Sequence, residues 1–412
     1  MKKFVLVGCG SRGVHGYAIP LVKEYGKYAT LSGVYDINRK RAELVSDYTE
    51  SIIPVYDDFD KMLDELKPDS VIVTTKDADH DYYIVKAMEK GCDVVSEKPV
   101  TTTFEKALRI KAAKEKYKKD IIVTFNLRHH PLFNKAKELI RNGEIGDVLS
   151  IHYEWMLNTS HGADYFRRWH RERKNSGSLL IHKSTHHFDI ANWLLDDDPV
   201  YVNAFGKRRF YGHTREERSE RCLGCEYKDK CSFYRDITKD ADLKKMYLDC
   251  EDCDGYIRDK CVFSDEIDIE DTVSVNVEYS KGTVMSYSLT AHSPFEGAHL
   301  ILNGTKGRME ICHKSKSIEG YNESSIDNIT IYKHNKEKVY MDVDTSSMEG
   351  HGGADTKIRN MLFIGKEDDP LGCMADFRAG IMSASIGMAA NLSMKEGRRV
   401  YIGEFLDEVK KG

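Results

Sequence analysis

Along the first third of the chain the hydrophobic pattern switches repeatedly between two periods. Short, almost continuously apolar runs, KFVLVG (3–8), LSGVYD (31–36), PDSVIVTTK (68–76), CDVVSEKP (92–99) and DIIVTFN (120–126), have the length of buried strands. Between them lie Val14–Tyr25, DDFDKMLDELK (57–67), DADHDYYIVKAMEKG (77–91) and Thr103–Lys118, whose apolar positions recur with helical spacing. Strand–helix alternation of this kind predicts an α/β fold, a doubly wound parallel sheet that binds ligands beyond the carboxyl ends of its strands. Further on the pattern changes. VLSIHYEWML, PVYVNAFGKRRFY, DTVSVNVEYSKGTVMSYSLTAH and HLILNGTKGRMEI alternate residue by residue, with hairpin turns at SKG and NGTKG, and predict an antiparallel sheet with one packed face. Two domains follow, residues 1–125 and 126–412, with an insertion-like segment at about 209–268.

Length and composition fit this picture. A chain of 412 residues can bury two cores. It is 41% hydrophobic and 31% charged, with a net charge of −5, which argues against nucleic acid or an anionic membrane as partner. No apolar run reaches the ~18 residues of a membrane span, and the first run is too short for a signal peptide. The expected location is the cytoplasm.

The first strand runs directly into G-C-G-S-R-G, with Gly8, Gly10 and Gly13, and the second ends in Asp36. A glycine-rich turn between strand and helix cradles a pyrophosphate on the helix N-terminus, and the acid receives the adenosine ribose. Asp36 favours NAD, because a carboxylate repels the 2′-phosphate of NADP; Arg12, Arg39 and Lys40 lie close enough in sequence to keep NADP as the alternative. Past the end of a central strand stand Ser96, Glu97, Lys98 and Pro99, where the nicotinamide half of a dinucleotide would lie. A lysine desolvated there has its pKa lowered toward values useful in proton transfer. In LLIHKSTHHFDIANWL a continuous helix would bring His182, His186 and Asp189 to one face, with Lys183 and His187 adjoining. The polar stretch before it, with His161, Tyr165, Arg168, Trp169 and His170, is suited to rim a cleft that holds a sugar ring. HGGAD (351–355) is a glycine-rich loop whose His351 would close the site from the other side.

Taken together, GxGxxG, SVIVTTKDADH, GCDVVSEKPVTT, FNLRHHPLFNKAKELIRNGEIGDV, SLLIHKSTHHFDIANWLL, NGTKGRMEI and SASIGMAANLS resemble the glucose–fructose oxidoreductase/inositol dehydrogenase (Gfo/Idh/MocA) family over nearly the whole chain. The resemblance implies an N-terminal Rossmann domain followed by an α/β domain on an open, mainly antiparallel sheet, a homodimer or homotetramer, and oxidation or reduction of a secondary alcohol of a sugar or cyclitol with NAD(P). It places Lys98 against substrate and nicotinamide, with the Lys98–Pro99 peptide often cis, puts His80 near the nicotinamide and lines the cleft with Arg128. The expected cofactor contacts are Gly8, Gly10, Ser11, Arg12, Gly13, Asp36, Thr74, His80, Glu97 and Lys98. The expected catalytic groups are Lys98, His186 as acid/base, and Lys183 as substrate ligand or charge partner; Arg128, Trp169, His182 and His187 are expected to touch substrate. The family usually has an aspartate where this chain has His182, and Lys183 is the candidate for the missing charge. Two other functions stay open: a redox-neutral NAD-dependent glycosidase that oxidises, eliminates and re-reduces, and a non-catalytic NAD-binding regulator.

Six of the ten cysteines fall between Cys222 and Cys261. Cys222, Cys225 and Cys231, spaced C-x2-C-x5-C, together with Cys261 suit a tetrahedral zinc site, with an iron–sulfur cluster as the rarer alternative. This segment lies outside the usual family pattern.

Overall fold

The structure, a computed structural model, describes residues 1–314, 326–345, 353–365 and 368–406. The apolar runs of the first third form β1 (Lys2–Val7), β2 (Ala29–Tyr35), β4 (Ser70–Val73), β5 (Asp93–Ser96) and β6 (Ile121–Val123), and a two-residue strand outside those runs, β3 (Val55–Tyr56), joins them. They pair in parallel in the order 6-5-4-1-2-3, the doubly wound arrangement. Phe4 to Val7 and Val71 to Val73 are buried without alternation because helices cover both faces. The alternating runs form β7 (Val148–Asn158), β8 (Pro199–Lys207), β9 (Thr272–Tyr279), β10 (Val284–Ser293), β11 (Gly297–Gly304) and β12 (Gly307–Lys314), and two strands the pattern reading did not include, β13 (Ile326–Lys333) and β14 (Lys338–Asp342), extend the sheet. Near the carboxyl end come β15 (Ala375–Asp376) and β16 (Val400–Tyr401). The second sheet has nine strands in the order 14-13-12-11-7-10-9-8-16, antiparallel except where β10 runs parallel to β7. In β9 every second residue is exposed, as expected of a sheet with one packed face.

The two sheets are tied by the chain's return. β15 adds antiparallel to β6 in the first sheet, and the following helix, Phe377–Glu396, lies against β8 of the second. Its small residues allow close approach: a Cβ on Gly380 would stand 2.8 Å from Val123, and one on Gly387 2.4 Å from the Leu180 carbonyl. One hydrophobic cluster therefore runs from Val5 and Val71 through to Leu300 and Ile331.

Between β8 and β9 the cysteine-dense segment crosses to the first sheet. There Asn38 Nδ2 donates to the Cys250 carbonyl at 2.8 Å, and Lys40 and Lys245 pair with Asp252 and Asp47. Among the described residues no helix is long and apolar enough to cross a membrane.

Candidate active site

Beyond the carboxyl ends of β1, β2, β4 and β5 lies a cavity of about 400 Å³, closed on its other side by residues of the second half of the chain. At one end is the glycine turn. Gly8 has φ +92°, a left-handed conformation that favours glycine, and a Cβ there would stand 2.7 Å from the Thr74 backbone. A Cβ on Gly13 would come within 2.2 Å of the Gly8 carbonyl, so this glycine serves close packing of helix on strand. Thr74 locks the turn by donating its hydroxyl to the Gly8 carbonyl at 2.6 Å. Gly10 differs: a Cβ there would meet only the Tyr247 hydroxyl, at 3.6 Å, so the turn opens a cradle into the cavity. Asp36 accepts from the amides of Cys9 at 2.6 Å and Asn38 at 2.7 Å. Burial pushes its carboxyl up, against the opposing pull of Arg41 and these amides. An open cradle at a helix start, with a buried acid at the end of the next strand, fits NAD(P).

The cation beside this acid was missed in the sequence. Arg12 pairs with Glu97 at 2.6 Å and with Asp355 at 3.2 Å, Arg39 pairs with Glu43 and Asp57, and Lys40 with Asp252. It is Arg41 that stands between Asp36, at 3.5 Å, and Asp254 of the cysteine-dense segment, at 3.1 Å. That segment also brings Tyr247 and Tyr256 to the cavity wall, and the Ser11 amide donates to the Tyr247 hydroxyl at 3.0 Å. Contacts over such separations leave no local signal.

At the other end the Lys98–Pro99 peptide is cis, and the Lys98 ammonium donates to the His182 carbonyl at 2.9 Å. Burial drops the Lys98 pKa to about 8, although Asp77 and Glu97 favour its charge. Glu97 itself is taken: Arg12 Nε and the Tyr17 hydroxyl donate to it at 2.6 and 2.7 Å, and against the cost of burial they hold it below the usual carboxylate range. His80 sits with its ring nitrogens 2.8 Å from the Pro99 carbonyl and 3.2 Å from that of Thr75. His182, Lys183, His186 and Trp169 line the cavity, as do His161, Tyr165, Arg168 and His170.

The aspartate that the family usually has at the His182 position is matched here by a carboxylate from another element: Asp77 Oδ2 lies 2.6 Å from His182 Nδ1. Burial, then Lys98 and His170, depress the His182 pKa, while burial raises that of Asp77 against the opposing pull of Lys98 and Arg168. Lys183 lies with its ammonium 5.3 Å from the Trp155 ring centre. The expected continuous helix is two pieces, Leu179–His182 and Ser184–Leu195. The His186 amide bonds to Lys183 rather than His182, whose carbonyl accepts from Lys98.

Two expected substrate contacts lie elsewhere. Arg128 makes a buried two-pronged ion pair with Asp189, 2.7 Å on each prong, and donates to the carbonyl of exposed Gly372. His187 is fully buried, stacked on Trp155 at 3.9 Å, with Nδ1 2.7 Å from the Tyr287 hydroxyl. His351 lies outside the described residues. The four cysteines gather at a separate cavity. Zinc does not fit their arrangement: among the described residues no three of their sulfurs lie within 4.8 Å of one another.

Comparison with known proteins agrees with the two-sheet architecture. The oxidoreductase-family NAD-binding Rossmann fold matches residues 2–125, and the oxidoreductase-family C-terminal α/β domain matches residues 137–402. The chain belongs to the Gfo/Idh/MocA family. It is 35% identical over 427 aligned residues to YteT of Bacillus subtilis (strain 168), named as an oxidoreductase, with 98% of each chain covered. Inositol 2-dehydrogenase 2 of Saccharopolyspora erythraea is 26% identical across 50% of this chain and 57% of its own length. Levoglucosan dehydrogenase, solved with NADH and L-sorbose, shares the fold with a TM-score of 0.71 and 17% identity, covering 98% of this chain and 100% of its own. This Gfo/Idh/MocA chain is thus an oxidoreductase with an NAD(P)-binding Rossmann domain.

Proposed function

We propose that the protein transfers a hydride between NAD and a ring secondary alcohol of a sugar or cyclitol. The observation that carries this reading is the meeting of Lys98, the Asp77–His182 pair, Lys183 and His186 in the cavity that begins at the glycine turn. Gly10, the start of the Ser11 helix and Asp36 would hold pyrophosphate and ribose, and when bound the nicotinamide supplies a two-electron hydride acceptor. His186 takes the hydroxyl proton. Lys98, as an ammonium with one N–H on the His182 carbonyl, turns its remaining donors to the substrate oxygen and stabilises the alkoxide that develops there. Trp169, Tyr165 and His161 form the wall against which a sugar ring stacks. Lys183 bonds a neighbouring hydroxyl. Relatives named for inositol and levoglucosan support this class of substrate.

The test is a panel of free sugars, cyclitols and glycosides incubated with NAD. Stoichiometric accumulation of NADH with one of them is the expected result. Cleavage of a glycoside without net NADH would replace this reading with the redox-neutral one, and NAD binding without turnover of any compound would leave a regulator.

A further inference from the structure

Cys222, Cys225, Cys231 and Cys261 line one cavity, none in a disulfide. Local backbone sets them there. The Cys225 amide donates to the Cys222 carbonyl in a tight turn at 3.0 Å, and an antiparallel bridge between Arg221 and Lys260 holds the neighbours of Cys222 and Cys261 side by side. Two guanidinium groups point at the sulfurs: Arg167 Nη1 donates to Cys222 Sγ at 3.1 Å and Arg215 Nη2 to Cys231 Sγ at 2.7 Å. Arg167 is only 5% exposed, and among the described residues neither arginine has a carboxylate partner. A buried cation calls for a nearby anion. Four neutral thiols do not provide one; four metal-bound thiolates do.

The spacing decides which metal centre. Thiolates on one zinc, with Zn–S bonds of about 2.3 Å, stand about 3.8 Å apart. Here no three of the sulfurs lie within 4.8 Å of one another, although all four face the same cavity. Four sulfurs around one cavity that do not close up on a single metal suit a centre that binds each sulfur to a different iron, with N–H donors directed at the ligand sulfurs. We propose that Cys222, Cys225, Cys231 and Cys261 ligate an iron–sulfur cluster, with Arg167 and Arg215 balancing its charge. Its role is to fasten the cysteine-dense segment beside the cofactor cavity. Arg167 ends the helix Thr159–Arg167, whose His161 and Tyr165 line that cavity, so the cluster and the cofactor lie on opposite sides of one short stretch.

The experiment is anaerobic purification of the full chain, with reconstitution by ferrous iron and sulfide, then metal and acid-labile sulfide analysis, visible absorption and electron paramagnetic resonance after reduction. Iron and sulfide in equal amounts, about four each per chain, with sulfur-to-iron charge-transfer absorption, are expected. Cys225→Ser should lose both chromophore and iron, whereas Cys253→Ser, exposed and outside the cavity, should keep them. Zinc in place of iron, or a folded wild-type chain that takes up neither iron nor sulfide, would overturn the proposal; the wild-type analysis decides even if Cys225→Ser fails to fold.

Discussion

Lys98 carries more of the proposed chemistry than any other side chain, and its environment makes that testable by pH. Burial lowers its pKa to about 8, so the ammonium that stabilises the alkoxide is present below that pH and lost above it. In the alcohol-oxidation direction kcat/KM should fall about tenfold per pH unit above about 8. Lys98→Met should abolish that limb, lower turnover by roughly 10²–10⁴, and leave NAD affinity within a few-fold. An unchanged high-pH limb in the variant would remove Lys98 from the mechanism. On the proposed reading Asp36 would set cofactor choice in the same local way. Among the described residues the cations around Asp36 are already paired, Arg41 with Asp36 and Asp254, Arg39 with Glu43 and Asp57, and Lys40 with Asp252. Asp36→Ala should shrink the preference for NAD over NADP by about 10- to 100-fold, the worth of hydrogen bonds to a charged group. Titrations of both cofactors against both proteins check this. His187 stands apart from this chemistry: His187→Ala should cost about 2–4 kcal/mol of stability, read from denaturant unfolding, through lost stacking on Trp155 and the loss of one of the Tyr287 hydroxyl's two hydrogen bonds, the other being to Ser184 Oγ. NAD affinity should be unmoved; a weakened affinity with unchanged stability would return His187 to the cleft.

At the scale of elements, what the sequence disclosed and what it hid divide by the range of the interaction. The longer central strands of both sheets, the glycine turn and Asp36 were legible because periodicity and turn chemistry are local, whereas the short β3, β15 and β16 and the edge pair β13 and β14 were not. The break at Lys183 was not, since both flanking stretches have helical character and the interruption comes from Lys98, 84 positions from His182, claiming a carbonyl. The family resemblance put Arg128 in the cleft, and its pairing with Asp189, 61 positions away, left no local signal to oppose that. The cysteine-dense segment read as an excursion, yet it reaches the cofactor end through Arg41, whose Nε also donates to the Met246 carbonyl at 3.4 Å. Removing Arg41 would strand two buried carboxylates, a loss on the order of 3–5 kcal/mol for a buried pair broken on one side. Arg41→Ala should therefore release this segment: limited proteolysis should move to sites between 208 and 271, and NAD should bind more weakly. A digestion pattern identical to that of the unchanged chain would mean that the other contacts, such as Asn38 to Cys250, suffice to hold it.

For the molecule as a whole, the cofactor cavity belongs to neither sheet alone. Its walls come from the strand ends of the first sheet, from the helix Thr159–Arg167 with His182, Lys183 and His186, and from the segment that crosses between. One core cluster joins the two sheets through the helix Phe377–Glu396. A ligand in such a cavity stabilises both halves together, because unfolding either one destroys the site. All three tryptophans, Trp155, Trp169 and Trp193, lie after residue 126, in the part of the chain built on the second sheet, so their fluorescence follows that part while ellipticity follows the whole chain. NAD at a hundred times its Kd should stabilise the protein by about 2.7 kcal/mol. The tryptophan midpoint in a thermal or urea transition should then rise in step with the ellipticity midpoint. Were NAD to raise the ellipticity midpoint while tryptophan fluorescence melted as before, the second half would unfold independently of the cofactor, and the residues it places in the cavity would contribute little to holding it.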